Sequence, residues 1–237
     1  MNLSELLEQQ TNETVRRDSA HIERGRYSST RTPVIMLMDI SKSMSLENKS
    51  VQMNEGAQAS MREMRMDRRA NNSCDFAALT FNDTVKVVQP FAPLPECPDL
   101  PLFRPDGRTK IAEAVLRGLA EIDAQEQKYQ QNDTPYHCPM LWIFTDGKSV
   151  GETSEKFQQA AAETTARIKA GTLKVFAVAI GTDADCKALA ALAGGTAPLR
   201  IENCEIAKVM HEVSDSVISV SHDVEYLLHG STRFYAR

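Results

Sequence analysis

The run Val34-Ile35-Met36-Leu37-Met38 is apolar without interruption and stops at Asp39-Ile40-Ser41-Lys42-Ser43. Continuous apolar character over so short a length predicts a strand buried on both faces, over 32–39, that opens into a polar loop. From Leu46 through Arg69 the composition turns to Met, Glu, Arg, Gln and Ala, and the spacing predicts a helix with Val51, Ala57, Met61 and Met64 turned inward. Asp75 through Phe81 and Val85 through Val88 flank Asn82-Asp83, the pattern of a hairpin that ends in an antiparallel edge strand. Six prolines between 90 and 106 exclude a helix or an inner strand, so an ordered loop is expected as far as Thr109.

Beyond Thr109, the set Ile111, Ala114, Val115, Gly118, Leu119 and Ile122 recurs at helical spacing, and the charged stretch from Glu121 to Asp133 reads as its solvated end. A strand over 140–145 follows, then a helix over Ser154–Ala170 and a buried strand over Leu173–Gly181. Asp183–Ala193 predicts a short helix stopped by Gly194-Gly195. A short strand near 199–201 and a helix over 205–221 close the series. That last helix carries Ile206, Val209, Met210, Val213, Val217 and Ile218 as an apolar stripe. Strands alternating with helices require right-handed crossovers and a sheet covered on both faces, an α/β Rossmann-like layer structure.

Length and charge narrow the class. A chain of 237 residues suits one large domain that buries roughly 70–75% of its extended-chain surface. The net charge of −5 argues against an intrinsic nucleic-acid binder, which carries a basic excess. Cys74, Cys97, Cys138, Cys186 and Cys204 are odd in number and lack Cys-x-x-Cys spacing, so neither a disulfide framework nor a zinc site is expected. Met1 through Glu8 has no basic n-region and no apolar core, and no run approaches the roughly 20 apolar residues of a membrane span. The expected location is therefore the cytoplasm. The chain divides into a polar leader over 1–30, a domain over 31–221 and a tail over 222–237.

The candidate chemistry lies where strands end. A central strand of an open parallel sheet delivers its following loop to the carboxyl edge, where such folds bind ligands. Asp39, Ser41 and Ser43 arrive there together. Oxygen-only donors suit a hard cation such as Mg²⁺, and few carboxylates leave that cation able to accept an outside anion. Gly107-Arg108-Thr109-Lys110 opens a helix, and Met140 through Phe144 runs into Thr145-Asp146-Gly147, a second strand with an acid at its tip.

Asp39-x-Ser41-x-Ser43, with Thr109 and Asp146, resembles the metal-ion-dependent adhesion site of von Willebrand factor A domains. The resemblance implies a mostly parallel six-stranded sheet with one antiparallel edge strand and helices on both faces. It implies that Ser41, Ser43 and Thr109 ligate Mg²⁺ or Mn²⁺ directly, that Asp39 and Asp146 ligate directly or through water, and that a partner's Asp or Glu fills the sixth position. Within the family the chain is similar to the bacterial intracellular TerY-like proteins of tellurium-resistance and stress gene clusters. That likeness implies an adaptor or scaffold acting with a kinase or phosphatase of the same operon, without nucleic acid or membrane.

Two positions depart from the family pattern. Lys42 replaces the usual Gly between the serines, and Arg108 replaces the usual small residue before Thr109. At about 8 Å and an effective dielectric near 20, one such charge opposes a divalent ion by roughly 4 kcal/mol. Lys42, Arg108 and Lys148 would form a basic rim suited to an acidic group, or else point into water. An enzyme is the competing class, since haloacid-dehalogenase-type phosphatases also place Asp at a strand tip with Mg²⁺. Those enzymes need a second acid two residues on, where this chain has Ser41. A structural domain with a vestigial site is the third reading. The first crossing lacks Gly-x-Gly-x-x-Gly, and the five histidines show no ligand spacing.

Overall fold

The computed structural model describes residues 30–146, 151–182, 184–201 and 206–221. Six strands, β1 (Thr32–Asp39), β2 (Cys74–Phe81), β3 (Val85–Pro93), β4 (Met140–Thr145), β5 (Lys174–Ile180) and β6 (Leu199–Ile201), form one sheet. Their order is β3-β2-β1-β4-β5-β6. All neighbours are parallel except β3, which runs antiparallel to β2 along one edge. The helices are α1 (Lys49–Met66), α2 (Arg68–Ser73), α3 (Ile111–Gln131), α4 (Ser154–Lys169), α5 (Cys186–Leu192) and α6 (Ile206–Ser221). Except for Thr30, the leader over 1–30 and the tail over 222–237 lie outside the described residues.

Side chains of a strand alternate faces, so β1 feeds two cores. Val34, Met36 and Met38 pack with Trp142 and Phe144 beneath α1 and α6. Ile35 and Leu37 pack with Leu141 and Ile143 beneath α3, α4 and α5. Trp142 and Phe176 stack with centroids 4.3 Å apart. Where α3 crosses the sheet, a Cβ at Gly118 would lie 3.2 Å from Leu37 and 3.4 Å from Leu141. The helix thus sits close because residue 118 has no side chain.

The long helix expected from Leu46 starts later and breaks once. Glu47 and Asn48 are left-handed (φ 54° and 58°), so helical phase begins at Lys49. Its inward stripe is Met53, Ala57, Ser60, Met61 and Met64. Val51 is 50% exposed, which corrects its expected inward placement, because it falls nearly opposite Met53 once the phase is set. Asp67 then ends α1 and caps α2, accepting hydrogen bonds from the Arg69 and Ala70 amides at 3.0 and 2.8 Å. β3 continues through Pro90 to Pro93, further than the loop expected there. An edge strand tolerates proline because one of its sides needs no N–H donor.

α6 lies against α1, where Ser214 Oγ donates to Ser60 Oγ at 3.0 Å. Ile206, Met210, Val213 and Val217 are buried, with Val209 and Ile218 partly so. His211 joins the pair from outside, its Nδ1 lying 2.8 Å from Glu63 Oε2.

The amino end of the sheet is closed by charge. Arg31 Nε and Nη2 donate to Asp75 at 2.9 and 2.5 Å, and the Tyr129 hydroxyl donates to the same carboxylate at 2.5 Å. Arg31 also donates to the carbonyls of Asn72 and Cys74. All three side chains are essentially buried. Tyr129 therefore corrects the expectation of a solvated end to α3, since the helix runs on to anchor strand β2 through it. Burial beside Asp75 pushes the Tyr129 phenol up.

Removing one member of a buried ion pair leaves the other uncompensated. Asp75→Ala is expected to destabilise the domain by about 3–5 kcal/mol, and Tyr129→Phe by roughly 1.5–3 kcal/mol, in urea unfolding. Losses under about 1 kcal/mol for both would show that the cluster is not what closes this end. A pH dependence is expected from His211, raised first by its Glu63 hydrogen bond and further by Asp215. A raised folded-state value means stability present in acid and lost as pH rises through it. The unfolding difference between wild type and His211→Gln should be larger at acidic than at alkaline pH, and small throughout because the ring is exposed.

Candidate metal centre

In the 3-2-1-4-5-6 order, chain connections leave β1 and β4 in opposite directions, and the crevice beyond their carboxyl ends is the ligand position of such sheets. β1 ends in Asp39 and β4 runs into Asp146. Both are almost wholly buried, as are Ser41 and Thr109. Ser43 is half-buried.

Asp39 organises its own loop. Its Oδ1 accepts the Ser41 amide at 2.7 Å, and its Oδ2 accepts the Thr145 hydroxyl at 2.5 Å. The first bond turns the chain so that Ser41 Oγ lies 3.1 Å from Ser43 Oγ. The second ties β1 to the residue before Asp146. Burial pushes the Asp39 carboxyl up to about 6, with nearby Asp146 adding to the rise and the Ser41 and Thr145 bonds opposing it.

The Thr109 loop is held to the same place by main chain. Lys42 N donates to Gly107 O at 3.0 Å, Asp106 N to Ile40 O at 2.8 Å, and Lys110 N to Asn82 O at 3.1 Å. Gly107 is left-handed (φ 76°), and a Cβ there would fall 2.4 Å from Asp83 Oδ2, so a larger residue would be strained and would displace the Asp83 side chain. Asp185 N donates to Asp146 O at 3.1 Å, which brings the start of α5 alongside. The sequence-derived loops carrying Asp39, Ser41, Ser43, Thr109 and Asp146 thus share one crevice.

The basic rim is less uniform. Arg108 Nε donates to Asp83 Oδ1 at 2.8 Å and its amide to Asp83 Oδ2 at 3.2 Å. Its charge is therefore offset beside the site. Lys42 is exposed, and Lys148 lies outside the described residues.

Two residues that sequence reasoning passed over shape the crevice. One is Thr145, through its bond to Asp39. The other is Glu152, whose two carboxylate oxygens accept the Ala112 and Glu113 amides at 2.9 and 2.8 Å. Lys110, the cap position of α3, supplies no side-chain bond, so a carboxylate some 40 residues further on closes the helix end beside Thr109. An uncapped helix start paired with a later loop acid was the available signal, but distance along the chain concealed the pairing.

The donors fit a hard cation. Adjacent ligands of an octahedral ion with bonds of about 2.1 Å lie about 3.0 Å apart, and the two serine oxygens are 3.1 Å apart. Two buried acids, Asp39 and Asp146, lie close enough that the charge of one raises the other, and among the described residues no basic side chain is hydrogen-bonded to Asp39. Among the described residues no group of three or more His, Cys, Asp or Glu is placed to hold a metal ion. The crevice offers two carboxylates and three hydroxyls, and Ser41, Ser43, Thr109, Asp39 and Asp146 are the residues that would hold a divalent cation.

A family model for the von Willebrand factor type A domain matches residues 34–215. No curated protein matches the chain significantly. Among solved structures, proximal thread matrix protein 1 from the mussel byssus is similar, with TM-score 0.58, 16% identity, and coverage of 80% of this chain and 47% of that one. A von Willebrand factor type A protein from Catenulispora acidiphila aligns with TM-score 0.56 and 14% identity, over 80% of this chain and 43% of that one. The mussel protein is also known with a zinc-occupied MIDAS motif, at 15% identity and TM-score 0.57, over 80% of this chain and 46% of that one. This chain spans under half the length of these structures, and identities so low speak for the fold alone. Fold and family model agree over the segment that contains all five oxygen donors, and the chain belongs to the von Willebrand factor type A family.

Proposed function

We propose that this domain is a binding module that captures a partner protein's Asp or Glu through a divalent cation, Mg²⁺ or Mn²⁺. The observation that carries the reading is the Ser41–Ser43 hydroxyl pair at 3.1 Å beside two buried acids. Asp39 holds the loop, Ser41 and Ser43 offer their oxygens, and Thr109 and Asp146 close the crevice from the other two loops. When bound, the ion supplies positive charge and one coordination position for an outside carboxylate. Three of the five donors are neutral hydroxyls, so the ion would stay under-neutralised and attractive to an anion.

The module transfers no group in this reading. Ser41 stands where a phosphotransfer enzyme of this loop type needs an acid. The cytoplasm is the proposed location, supported by free thiols at Cys74, Cys97, Cys138 and Cys186. An adaptor role in a bacterial tellurium-resistance or stress system, beside a kinase or phosphatase of the same operon, is supported by the Pro33 to Met44 opening, Thr80-Phe81-Asn82, Thr145-Asp146-Gly147 and Ala177 through Gly181.

Calorimetric titration with Mn²⁺ is expected to show one weak site that Asp39→Ala abolishes while the circular dichroism spectrum is retained. Unchanged heats in that variant would sink the proposal. Glu152→Gln, which touches no ion, should weaken the same site about two- to fivefold by loosening the α3 start beside Thr109; equal affinity would restrict Glu152 to helix capping. In Mg²⁺ the chain should release no phosphate from p-nitrophenyl phosphate or ATP above buffer. Turnover lost in Asp39→Asn would move the protein to the enzyme class.

A further inference from the structure

The sheet face that carries Val34, Met36 and Met38 is covered by α1, α2 and α6, and one corner of it is left over. On α1, Asn54 and Gln58 bond to the segment that follows β3, donating to Phe103 O at 3.0 Å and Leu100 O at 3.1 Å. Ser60 and Glu63, on the other side of that helix, meet Ser214 and His211 of α6. Since α2 packs against β3, the order across this face is the segment after β3 with α2, then α1, then α6. Among the described residues no helix lies beyond α6 towards β5 and β6, because α3, α4 and α5 pack on the opposite face.

The free flank of α6 is apolar. At 100° per residue, Val209 and Val220 stand roughly 120–180° around the helix from His211 and Ser214, and both are only partly buried. Ser216 lies between them and directs its hydroxyl onto Glu212 O of its own helix at 2.7 Å. The sheet beside this flank is apolar too. Phe176 of β5 and Leu199 of β6 are partly buried members of the same cluster. β6 begins level with Val178, so no strand flanks Phe176 on that side, and its ring is backed only by Trp142 on β4 at 4.3 Å. Phe176, Leu199, Val209 and Val220 thus line an unfilled step between the last helix and the last two strands.

The chain itself supplies an occupant. Residues 222–237 follow α6 and contain Val224, Tyr226, Leu227, Leu228, Phe234 and Tyr235. Their starting point is fixed, since Ser73 Oγ donates to Ser221 Oγ at 2.8 Å beside the first residue of β2. Phe176 is aligned through Trp142 and Met36 with Ala78, four residues along from Cys74, and β5 is three strands away from β2. Strand spacing and rise put that separation at about 20 Å. Seven extended residues, from Ser221 to Leu228, span about 23 Å. A segment tethered this closely faces the step at an effective concentration on the order of 1 mM, which a second copy at micromolar concentration does not match.

We infer that the segment after Ser221 folds back on its own domain, with Tyr226, Leu227 and Leu228 covering Phe176 and Val220, and Phe234 and Tyr235 covering the Leu199–Val209 end. The step is then an interaction surface occupied within one chain and withheld from other apolar partners. It stands apart from the metal crevice and does not depend on the reading of that site.

The test is photocrosslinking of the full chain with benzoylphenylalanine in place of Leu227, in an equal mixture of isotope-labelled and unlabelled protein, mapped by mass spectrometry. Crosslinks are expected at 174–178, at Leu199 or at 216–220, joining positions of one isotopic class. V220D, an acid placed on the apolar flank, should cut their yield by about fivefold or more while the circular dichroism spectrum is retained. L199S reads the other wall of the step and serves should V220D unfold. Crosslinks confined to other parts of the domain, or yields unchanged in both variants, would overturn the inference. So would crosslinks joining labelled to unlabelled chains, which would make a second copy the occupant.

Discussion

Asp39 is a carboxylate placed where carboxylates are costly, and the surrounding structure is arranged around keeping it there. Burial raises its proton affinity, and Asp146 raises it further. Two hydrogen bonds, from the Ser41 amide and the Thr145 hydroxyl, offset part of that cost. The same two bonds turn the β1 loop and couple it to β4. The acid proposed to serve an ion is thus also the joint that gives the crevice its shape, and the conflict between burial and charge is what a cation would relieve.

The remaining supports transmit this constraint outward. Gly107 allows the Thr109 loop to pass against Asp83, and Asp83 in turn takes up Arg108. The charge that opposed metal binding in the sequence is thereby turned to holding a loop. Glu152 closes α3 beside Thr109, placing another carboxylate near the site without offering it as a donor. At the opposite end of the sheet Arg31, Asp75 and Tyr129 seal the strand starts, so β1 is held at both ends by polar contacts and along its length by two cores. A rigid β1 is the condition for a loop whose donors must keep ångström-level spacing.

α6 carries the apolar stripe that its sequence shows, yet its neighbour is α1 as much as the sheet. The Ser60–Ser214 contact lets the two helices approach closely, and His211 bridges them through Glu63. α1 begins just after the Ser41–Ser43 loop, so α6 is linked to the metal edge through one helix.

The set of elements, and five oxygen-bearing residues as candidate donors, can be read along the chain before it folds. Period and composition distinguish a doubly buried strand from a one-sided helix, and chemistry restricts what Asp39, Ser41, Ser43, Thr109 and Asp146 do together. These signals are local, or rest on a resemblance carried by short motifs. The inward face of α1 is misplaced at Val51 if apolar character alone is followed, because within one uninterrupted helix Val51 stands about 160° from Met53 at 3.6 residues per turn. Tyr129, Thr145, Glu152 and the Arg108–Asp83 pair became legible only in three dimensions. Each acts through a partner between 25 and 106 residues away, and a single hydrogen-bonding side chain carries no periodicity that would reveal which distant atom it meets. The tertiary structure decided those pairings because burial, absent until the sheet closes, is what makes a polar group require one particular partner.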